Sequence, residues 1–213
     1  MSWLVDAVQP TERARVEEAL ASSSRLSLAR GLSFGPDRFE TVSLVCVEDG
    51  IVFASVATRE AGRQIIVSLA GPTSILMAPT AHERLEALTD AHLTLIPTST
   101  QQRLSEVPSA ATIMIAALAE EIRDSRQSLA RIGNRYHTNR VWSKLIQLAR
   151  DHGKVETDGL LVDLPLTHEL LADMIGSTRE TVTRSLARLA EEGLIRRVRG
   201  RYLVVASPKA VVP

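Results

Sequence analysis

The chain has 213 residues, 45% hydrophobic and 23% charged, which excludes a disordered protein and allows one large domain or two small ones. Its net charge is zero, but residues 137–213 carry 12 basic and 9 acidic residues against 13 and 16 in the rest, which permits a basic nucleic-acid-binding module at the C-terminal end. The single Cys46 excludes an intrachain disulfide and a four-cysteine cluster. Because the chain has no 18-residue apolar run and no signal-like N-terminus, we expect a cytoplasmic protein without membrane contact.

The first 97 residues combine one short helix with several short strands. A helix is predicted over residues 11–21, with Thr11 as its N-cap. Alternating or β-branched runs, separated by turn signals such as Gly71-Pro72, then predict strands over residues 25–29, 41–47, 51–57, 64–69 and 92–96. Short strands at this spacing are typical of an antiparallel barrel or sandwich.

Residues 109–135 predict one long helix, because they contain no proline and a single glycine. Residues that are apolar except for Ser125 recur at spacings of four and three from Ala111 to Tyr136, a heptad pattern that favours a two-helix coiled coil and hence a homodimer. The alternative is a single helix packed on its own barrel. The predicted dimer interface consists of Ile115, Leu118, Ile122, Ser125, Leu129 and Ile132.

After a predicted hinge at residues 133–139, the chain predicts a helix over residues 141–150, a strand-turn-strand unit over residues 153–164, and then two helices around Gly176. Thr167 is a plausible N-cap of the first helix, and Gly176 can end it in a left-handed conformation. Ser177 and Glu180 have the spacing of a capping box at the start of the second helix. Two helices joined by a tight glycine turn are typical of a helix-turn-helix.

The second of these helices separates an apolar face from a polar one. Val182, Leu186 and Leu189 recur at core spacing. The opposite face begins with arginine, which pairs with guanine, and glutamate, which accepts from cytosine, so we expect base reading by four residues. They are Arg179, Glu180, Thr183 and Arg184. The alternative is a solvated face with ion pairs such as Glu180 with Arg184.

A hairpin follows, with strands predicted over residues 194–198 and 201–205 around Gly200. Arg196, Arg197, Arg199 and Arg201 cluster at its tip, where basic side chains suit phosphate contacts. A merely solubilising hairpin tip is the alternative.

The stretch LPLTHELLADMIGSTRETVTRSLARLAEEGLIRRVRGRYLVV, residues 164–205, resembles the DNA-binding segment of the CRP/FNR superfamily of bacterial transcription regulators. The resemblance implies an α+β fold with an N-terminal antiparallel β-roll that is cyclic-nucleotide-binding-like (residues 1–108), a long dimerisation helix (109–136) and a C-terminal winged helix-turn-helix (137–213). It implies a homodimer on an inverted repeat of TGTGA-like half-sites in double-stranded DNA. Thr183 stands where FNR-type proteins carry serine, so a hybrid preference is an alternative.

The resemblance further implies phosphate contacts by eight residues: Thr138, Thr167, His168, Ser177, Thr178, Thr181, Arg199 and Arg201. The loop around Asp158 and Gly159 matches the segment with which family members touch RNA polymerase, so the resemblance favours an activator over a repressor.

The region around residues 71–85 departs from the cyclic-nucleotide pattern of this superfamily. It contains no Gly-Glu pair, and Leu85 follows Arg84 where serine is usual. The candidate ligand residues are reduced to Arg84, Ser125 and Arg126, too few donors for a cyclic phosphate. We therefore expect regulation without cyclic AMP, with an unidentified small effector in the β-roll as the alternative.

No cofactor and no metal are expected, although His82 and His92 could by residue type bind haem. An enzyme is not expected, because the chain carries no Gly-rich phosphate loop, H-E-x-x-H or G-x-S-x-G motif. A winged helix that docks on protein would be distinguished from a DNA reader by a weak salt dependence.

Overall fold

Residues 24–97 form the two antiparallel sheets of a β-roll. The structure is a computed structural model that describes residues 2–58, 63–132 and 136–205, without the side chains of residues 128–132. One sheet has the strand order β1-β8-β3-β6 and the other β2-β7-β4-β5. The strands are β1 (Ser24–Leu28), β2 (Ser33–Phe34), β3 (Val42–Asp49), β4 (Val52–Ala57), β5 (Gln64–Ala70), β6 (Ile75–Met77), β7 (Glu83–Ala87) and β8 (Ala91–Pro97).

Strand β3 contributes to two separate cores, because successive side chains of a strand point to opposite faces of the sheet. Val45 and Val47 belong to the core of the β-roll strands. Leu44 and Cys46 belong to a second core, which the flanking helices complete. The sheet is therefore covered on both faces in this region.

The flanking helices are α1 (Trp3–Ala7), α2 (Arg13–Leu20), α3 (Thr98–Ser105) and the long α4 (Pro108–Ile132). Ala110 and Met114 of α4 are buried in the second core, and Leu118 packs against it. Trp3 packs against the same core, and its backbone N–H donates to Glu48 Oε2 at 2.9 Å. One face of α4 is thus bound to its own β-roll.

The remaining elements form a helical unit with a small sheet of order β11-β12-β10-β9. They are α5 (His137–His152), β9 (Gly153–Glu156), β10 (Gly159–Val162), α6 (His168–Ile175), α7 (Arg179–Glu191), β11 (Ile195–Val198) and β12 (Arg201–Val205). Helix α5 contacts both α6 and α7, and it also contacts β10 and β12. The chain divides into two compact units, residues 1–126 and 127–213.

The five predicted strands of the β-roll are found within about two residues of their predicted ends. Strands β2, β6 and β7 were not predicted, because strands of two to five residues carry little periodic signal. Helix α3 was not predicted either, because its eight residues are mostly polar. The N-cap role predicted for Thr11 is wrong: Pro10–Glu12 is a 3-10 turn, and α2 begins at Arg13. Residues 137–139 of the predicted hinge are helical in α5, and residues 133–135 lie outside the described part.

In the described ranges, no helix combines the length and the apolar character needed to cross a membrane.

Candidate nucleic-acid interface

Helix α6, the first of the predicted helix-turn-helix, is capped at both ends as predicted. Thr167 Oγ1 accepts a hydrogen bond from the backbone N–H of Leu170 at 3.0 Å. Gly176 ends the helix with φ 60° and ψ 51°, a left-handed conformation that glycine adopts without steric cost. The next N–H, of Ser177, donates to Ala172 O at 3.0 Å. Local hydrogen bonds therefore fix the turn that precedes the second helix.

The second helix, α7, is capped by a residue other than the predicted one. Thr178 is the N-cap, and its Oγ1 accepts from the N–H of Thr181 at 3.3 Å. The predicted capping box of Ser177 and Glu180 is wrong. Ser177 is 7% exposed, and its Oγ lies 3.0 Å from Nδ1 of His137 on α5. Serine and threonine both cap helices. Because the Ser177 hydroxyl contacts His137, Thr178 acts as the cap.

The predicted division of α7 into two faces is confirmed by burial. Val182, Leu186 and Leu189 are buried. The side chains predicted to read bases are exposed at the N-terminal end of the helix, which is the end that enters the major groove in this motif. These exposed residues are Arg179, Glu180, Thr183 and Arg184.

The carboxylate of Glu180 is held in its ionised form. Hydrogen bonds from its own backbone N–H and from the Thr178 hydroxyl lower the pKa of Glu180, and the charges of Arg179 and Arg184 lower it further. Nη2 of Arg184 donates to Thr181 Oγ1 at 3.4 Å. The helix thus presents a hydrogen-bond acceptor between two guanidinium donors, a set that matches the edges of G·C pairs.

Thr183 is already engaged in hydrogen bonds. Its hydroxyl donates to Arg179 O at 2.9 Å, and its Oγ1 lies 2.8 Å from Nδ1 of His168. The hydroxyl hydrogen is therefore used inside the protein, and donation from Thr183 to a base would require its release.

Helix α5 supports the turn through a residue that the sequence analysis missed. Arg140 is 6% exposed, and its Nη1 donates to the carbonyl of Ile175 at 3.0 Å, at the C-terminal end of α6. Its Nη2 lies 2.6 Å from Nδ1 of His137. Burial lowers the pKa of His137, as do the charges of Arg140 and Arg184. A lone arginine on a helix resembles a surface charge in sequence, so only its burial reveals this role.

A cleft of about 690 Å³ opens between α5 and α7. Trp142 lines it from α5, and Arg184 and Arg188 line it from α7. Arg188 also pairs with Glu192 through its Nε at 2.8 Å. Trp142 therefore lines the same cleft as Arg184, one of the residues predicted to read bases.

Of the eight predicted phosphate contacts, the threonines lie at helix starts. Thr167 and Thr178 are the N-caps of α6 and α7, and both are exposed. Thr181 and Thr138 are half-buried in the first turns of α7 and α5. Helix N-termini with free N–H groups suit anions such as phosphate. Ser177, by contrast, is buried against His137.

The wing is less uniformly basic than the sequence predicted. Arg199 is exposed, in a left-handed conformation with φ 50° beside Gly200 at φ 79°, as a tight hairpin turn requires. Arg196 forms an ion pair with Asp158 of the β9-β10 turn. Arg201 Nε lies 3.2 Å from Asp163 Oδ1, and Lys154 pairs with the same carboxylate. Two of the four wing arginines thus already face carboxylates.

The β-roll contains a cavity of about 170 Å³ with an acidic lining. Glu120, Glu121 and Asp124 of α4 line it, together with Thr73 and Ser74. Burial raises the pKa of Glu121, although a hydrogen bond from the Met77 N–H opposes that shift. Carboxylates repel a cyclic phosphate, which needs cations and N–H or hydroxyl donors.

The predicted ligand residues Arg84, Ser125 and Arg126, all within the described part, are not in the lining of this cavity. Arg84 instead donates through Nη2 to Ser33 Oγ at 2.8 Å. Ser125 is half-buried and Arg126 is exposed on α4. The structure therefore does not bring the three together at the cavity.

Helix α4 exposes two large apolar residues on the predicted dimer face. Ile115 is 69% exposed and Ile122 is 49% exposed. Leu118 packs on its own core, and Ser125 is half-buried. The side chains of Leu129 and Ile132 lie outside the described residues.

Comparisons with known proteins give one consistent result. A family model described as the Crp-like helix-turn-helix domain matches residues 139–211. The chain is 32% identical over 161 residues to the global nitrogen regulator of Synechococcus elongatus, covering 71% of this chain and 72% of that one. It is 31% identical to a probable transcriptional activator of Rhizobium leguminosarum, covering 68% and 62%. The structure of a CooA mutant from Carboxydothermus hydrogenoformans superposes with a TM-score of 0.77 at 20% identity, over 90% of this chain and 87% of that one.

Proposed function

The chain belongs to the CRP/FNR superfamily of transcription regulators, and we propose that it is a sequence-specific DNA-binding regulator that acts in the cytoplasm as a homodimer. The observation that carries the proposal is the exposed face of α7. It sets Arg179, Glu180 and Arg184 at the N-terminal end of a capped helix whose opposite face is buried. The family consists of regulators and not of enzymes.

The half-site that fits these side chains contains G·C pairs, and we propose a TGTGA-like sequence. The guanidinium groups of Arg179 and Arg184 each offer two parallel donors to guanine, and the ionised Glu180 accepts from cytosine N4. Phosphate contacts by the helix N-caps and by Arg199 would fix the register of α7 in the groove. Thr183 is bonded to His168 and to Arg179 O, which favours the TGTGA-like sequence over the hybrid.

The homodimer is proposed to form through the face of α4 that carries Ile115 and Ile122. The two residues lie seven apart, so they fall on one stripe of the helix. An exposed apolar stripe beside a face already packed on the β-roll is expected to be covered, and a second copy covers it symmetrically. Two recognition helices would then read half-sites about 34 Å apart, in successive major grooves. In this scheme residues 1–108, 109–136 and 137–213 act as sensor-like roll, dimer helix and DNA reader.

Regulation without cyclic AMP is supported by the acidic lining of the β-roll cavity. The carboxylates of Glu120, Glu121 and Asp124 would repel an anionic ligand in that cavity. The alternative is an effector of different chemistry, whose binding would change DNA affinity.

Activation is favoured over repression by the relative described as a probable transcriptional activator. Contact with RNA polymerase is proposed for the β9-β10 turn. Asp158 there is exposed and paired with Arg196, so it is held in a defined position.

The test is binding of the purified full chain to a TGTGA-N6-TCACA duplex and to a scrambled duplex, with and without cyclic AMP, over a range of salt concentrations. We expect specific binding without nucleotide that weakens steeply with salt. Binding that requires cyclic AMP would overturn the proposed independence from the nucleotide. A lack of salt dependence would instead favour a protein-docking surface.

A further inference from the structure

Four side chains connect the wing to the recognition helix in one continuous hydrogen-bond chain. Nη2 of Arg197 lies 2.9 Å from the hydroxyl of Tyr202, which lies 3.0 Å from Nε2 of His168. Nδ1 of His168 lies 2.8 Å from Oγ1 of Thr183, whose hydroxyl donates to Arg179 O at 2.9 Å. The chain thus runs from β11 and β12 through the start of α6 to the first residue of α7.

The two ends of this chain fix the direction of the hydrogen bonds next to them, and a neutral imidazole fixes the one between. Arginine can only donate, so Tyr202 accepts from Arg197. At the other end Thr183 has given its hydrogen to Arg179 O, so it can only accept from His168. Nδ1 of His168 must therefore carry a proton. Tyr202 is buried and its hydroxyl hydrogen needs an acceptor, which Nε2 of a neutral imidazole supplies.

We propose that His168 is a positioning residue and not a phosphate contact: as the neutral Nδ1–H tautomer it locks the wing residue Arg197 to the recognition helix in the orientation that binds DNA. The role in DNA binding rests on the proposed function, whereas the tautomer and the chain do not. Arg197 also lies over the ring of Tyr202, with its Cζ 4.8 Å from the ring centroid, so a second contact supports the same placement.

Protonation of His168 would disrupt this chain, because it removes the acceptor of the Tyr202 hydroxyl hydrogen. A second ring proton on Nε2 would point at the Tyr202 oxygen, which already accepts from Arg197, and the buried hydroxyl hydrogen would lose its partner. The groups that face the imidazole are Thr183 and the cationic Arg179 from α7, Arg197 from β11 and the Tyr202 hydroxyl from β12.

The surroundings disfavour that protonation near neutral pH. Burial lowers the pKa of His168, and the charges of Arg197 and Arg179 lower it further. The chain is therefore intact at neutral pH and is lost as the pH falls through that lowered value. A phosphate contact would behave in the opposite way, because a histidinium binds phosphate more strongly.

The first test needs no DNA. The full chain is labelled with ¹⁵N at its five histidines, and long-range ¹H–¹⁵N spectra at pH 7.5 identify the tautomer, with His168→Gln assigning the signal. A proton on Nδ1 with Nε2 bare is the expected result. An Nε2–H tautomer or a doubly protonated ring at this pH would overturn the chain.

The second test compares DNA affinity in Tyr202→Phe and wild type at pH 7.5. Removing one hydroxyl should weaken specific and scrambled duplexes alike by about fivefold, the net contribution of one hydrogen bond. Equal affinity of the variant and the wild type would overturn the positioning role. If the tautomer is as expected but no duplex is bound by the wild type, the chain stands and the proposed function fails.

The third test follows affinity from pH 8 to pH 5.5 for the wild type, for His168→Gln and for His92→Gln, which replaces an exposed histidine of the β-roll as a matched control. The wild type and His92→Gln should lose affinity on acidification relative to His168→Gln. Affinity that rises in the wild type relative to His168→Gln would assign His168 as a phosphate contact and overturn the proposal.

Discussion

Nε of Arg201 lies 3.2 Å from Oδ1 of Asp163, so a wing residue proposed to bind phosphate already faces a carboxylate of its own chain. Lys154 shares that carboxylate. The anion of DNA therefore competes with Asp163 for two cations of the winged unit. Removing the carboxylate should act in the opposite direction to removing a DNA contact.

Asp163→Asn is expected to tighten binding to a scrambled duplex and to make the salt dependence steeper. The slope of log Kd against log salt should grow by up to about one for each cation that is released from Asp163. Arg201 and Lys154 would lose their internal partner and become available to phosphate. The measurement is the slope of log Kd against log salt. Asp151→Asn, at an exposed acid of α5, is the control for the same change in net charge. Identical slopes in the two variants would argue against phosphate contact by Arg201.

The carboxylate of Asp163 should also make the unfolding free energy depend on pH in the acidic range. The hydrogen bond from Lys154 lowers the pKa of Asp163, and the charge of Arg201 lowers it further. The contribution of the ionised Asp163 to the unfolding free energy is fully present above the pKa of about 3.9 in the unfolded chain. It is lost as the pH falls through the lower pKa of the folded protein. The difference in unfolding free energy between wild type and Asp163→Asn should therefore shrink between pH 7 and pH 3, as measured by urea denaturation. A constant difference would contradict the ion pairing.

Arg184→Ala should cost about 1–3 kcal/mol on the preferred duplex and relax the choice of base at one position, and Arg179→Ala should do the same at another. Arg188→Ala is the matched control, one turn further along α7, where the guanidinium pairs with Glu192 in an exposed position. Such an exposed pair contributes at most about 1 kcal/mol, so discrimination between bases should not change. Competition with duplexes that each carry one base change measures both effects. Unchanged discrimination in Arg179→Ala and Arg184→Ala would exclude base reading by these residues.

Ile122→Glu should weaken the dimer by about a hundredfold or more, because an unpaired carboxylate buried in an apolar interface costs several kcal/mol. Sedimentation equilibrium at several concentrations measures the change. Leu32→Glu is the control, since Leu32 is 50% exposed and lies outside α4. If both variants associate like the wild type, the dimer face lies elsewhere.

Cys46 should be unreactive in the folded protein. Burial is the main cause that raises the pKa of its thiol to about 12, and the charge of Glu48 adds to it. A colorimetric thiol reagent at pH 8 should react in denaturant and not without it. Cys46→Ser should lower the unfolding free energy by about 1–3 kcal/mol, because a hydroxyl would enter an apolar core. Rapid reaction of the native protein would contradict the burial.

The elements with a strong local pattern could be predicted from sequence alone. The Thr167 cap and the left-handed Gly176 are local features, and the face of α7 follows from a period of 3.6 residues. The residues proposed to read bases are predicted for the same reason, because charged side chains opposite a regular apolar face are visible without a structure. The heptad pattern of α4 also follows from its period, but the period does not show that Leu118 packs against the core of its own chain.

The hydrogen-bond partners could not be predicted, because they join residues far apart in sequence. Ser177 and Thr178 are equally good caps, and His137, forty residues earlier, decides between them. The wing tip looked uniformly basic because Asp158 and Asp163 lie on an earlier hairpin. His168 is predicted from sequence as a phosphate contact, whereas the partners at its two nitrogens, Thr183 and Tyr202, come much later in the chain and carry no local signal.

The two tryptophans of the chain fall in separate units, Trp3 against the core beside the β-roll and Trp142 in the cleft between α5 and α7. Replacing either one with phenylalanine leaves a protein with a single strong ultraviolet emitter. Trp142 alone, in the cleft that Arg184 also lines, should then report the proposed binding of DNA by a change in fluorescence intensity, and Trp3 alone should report unfolding of the β-roll. The chain thus carries its own optical probe for each half, with no dye attached.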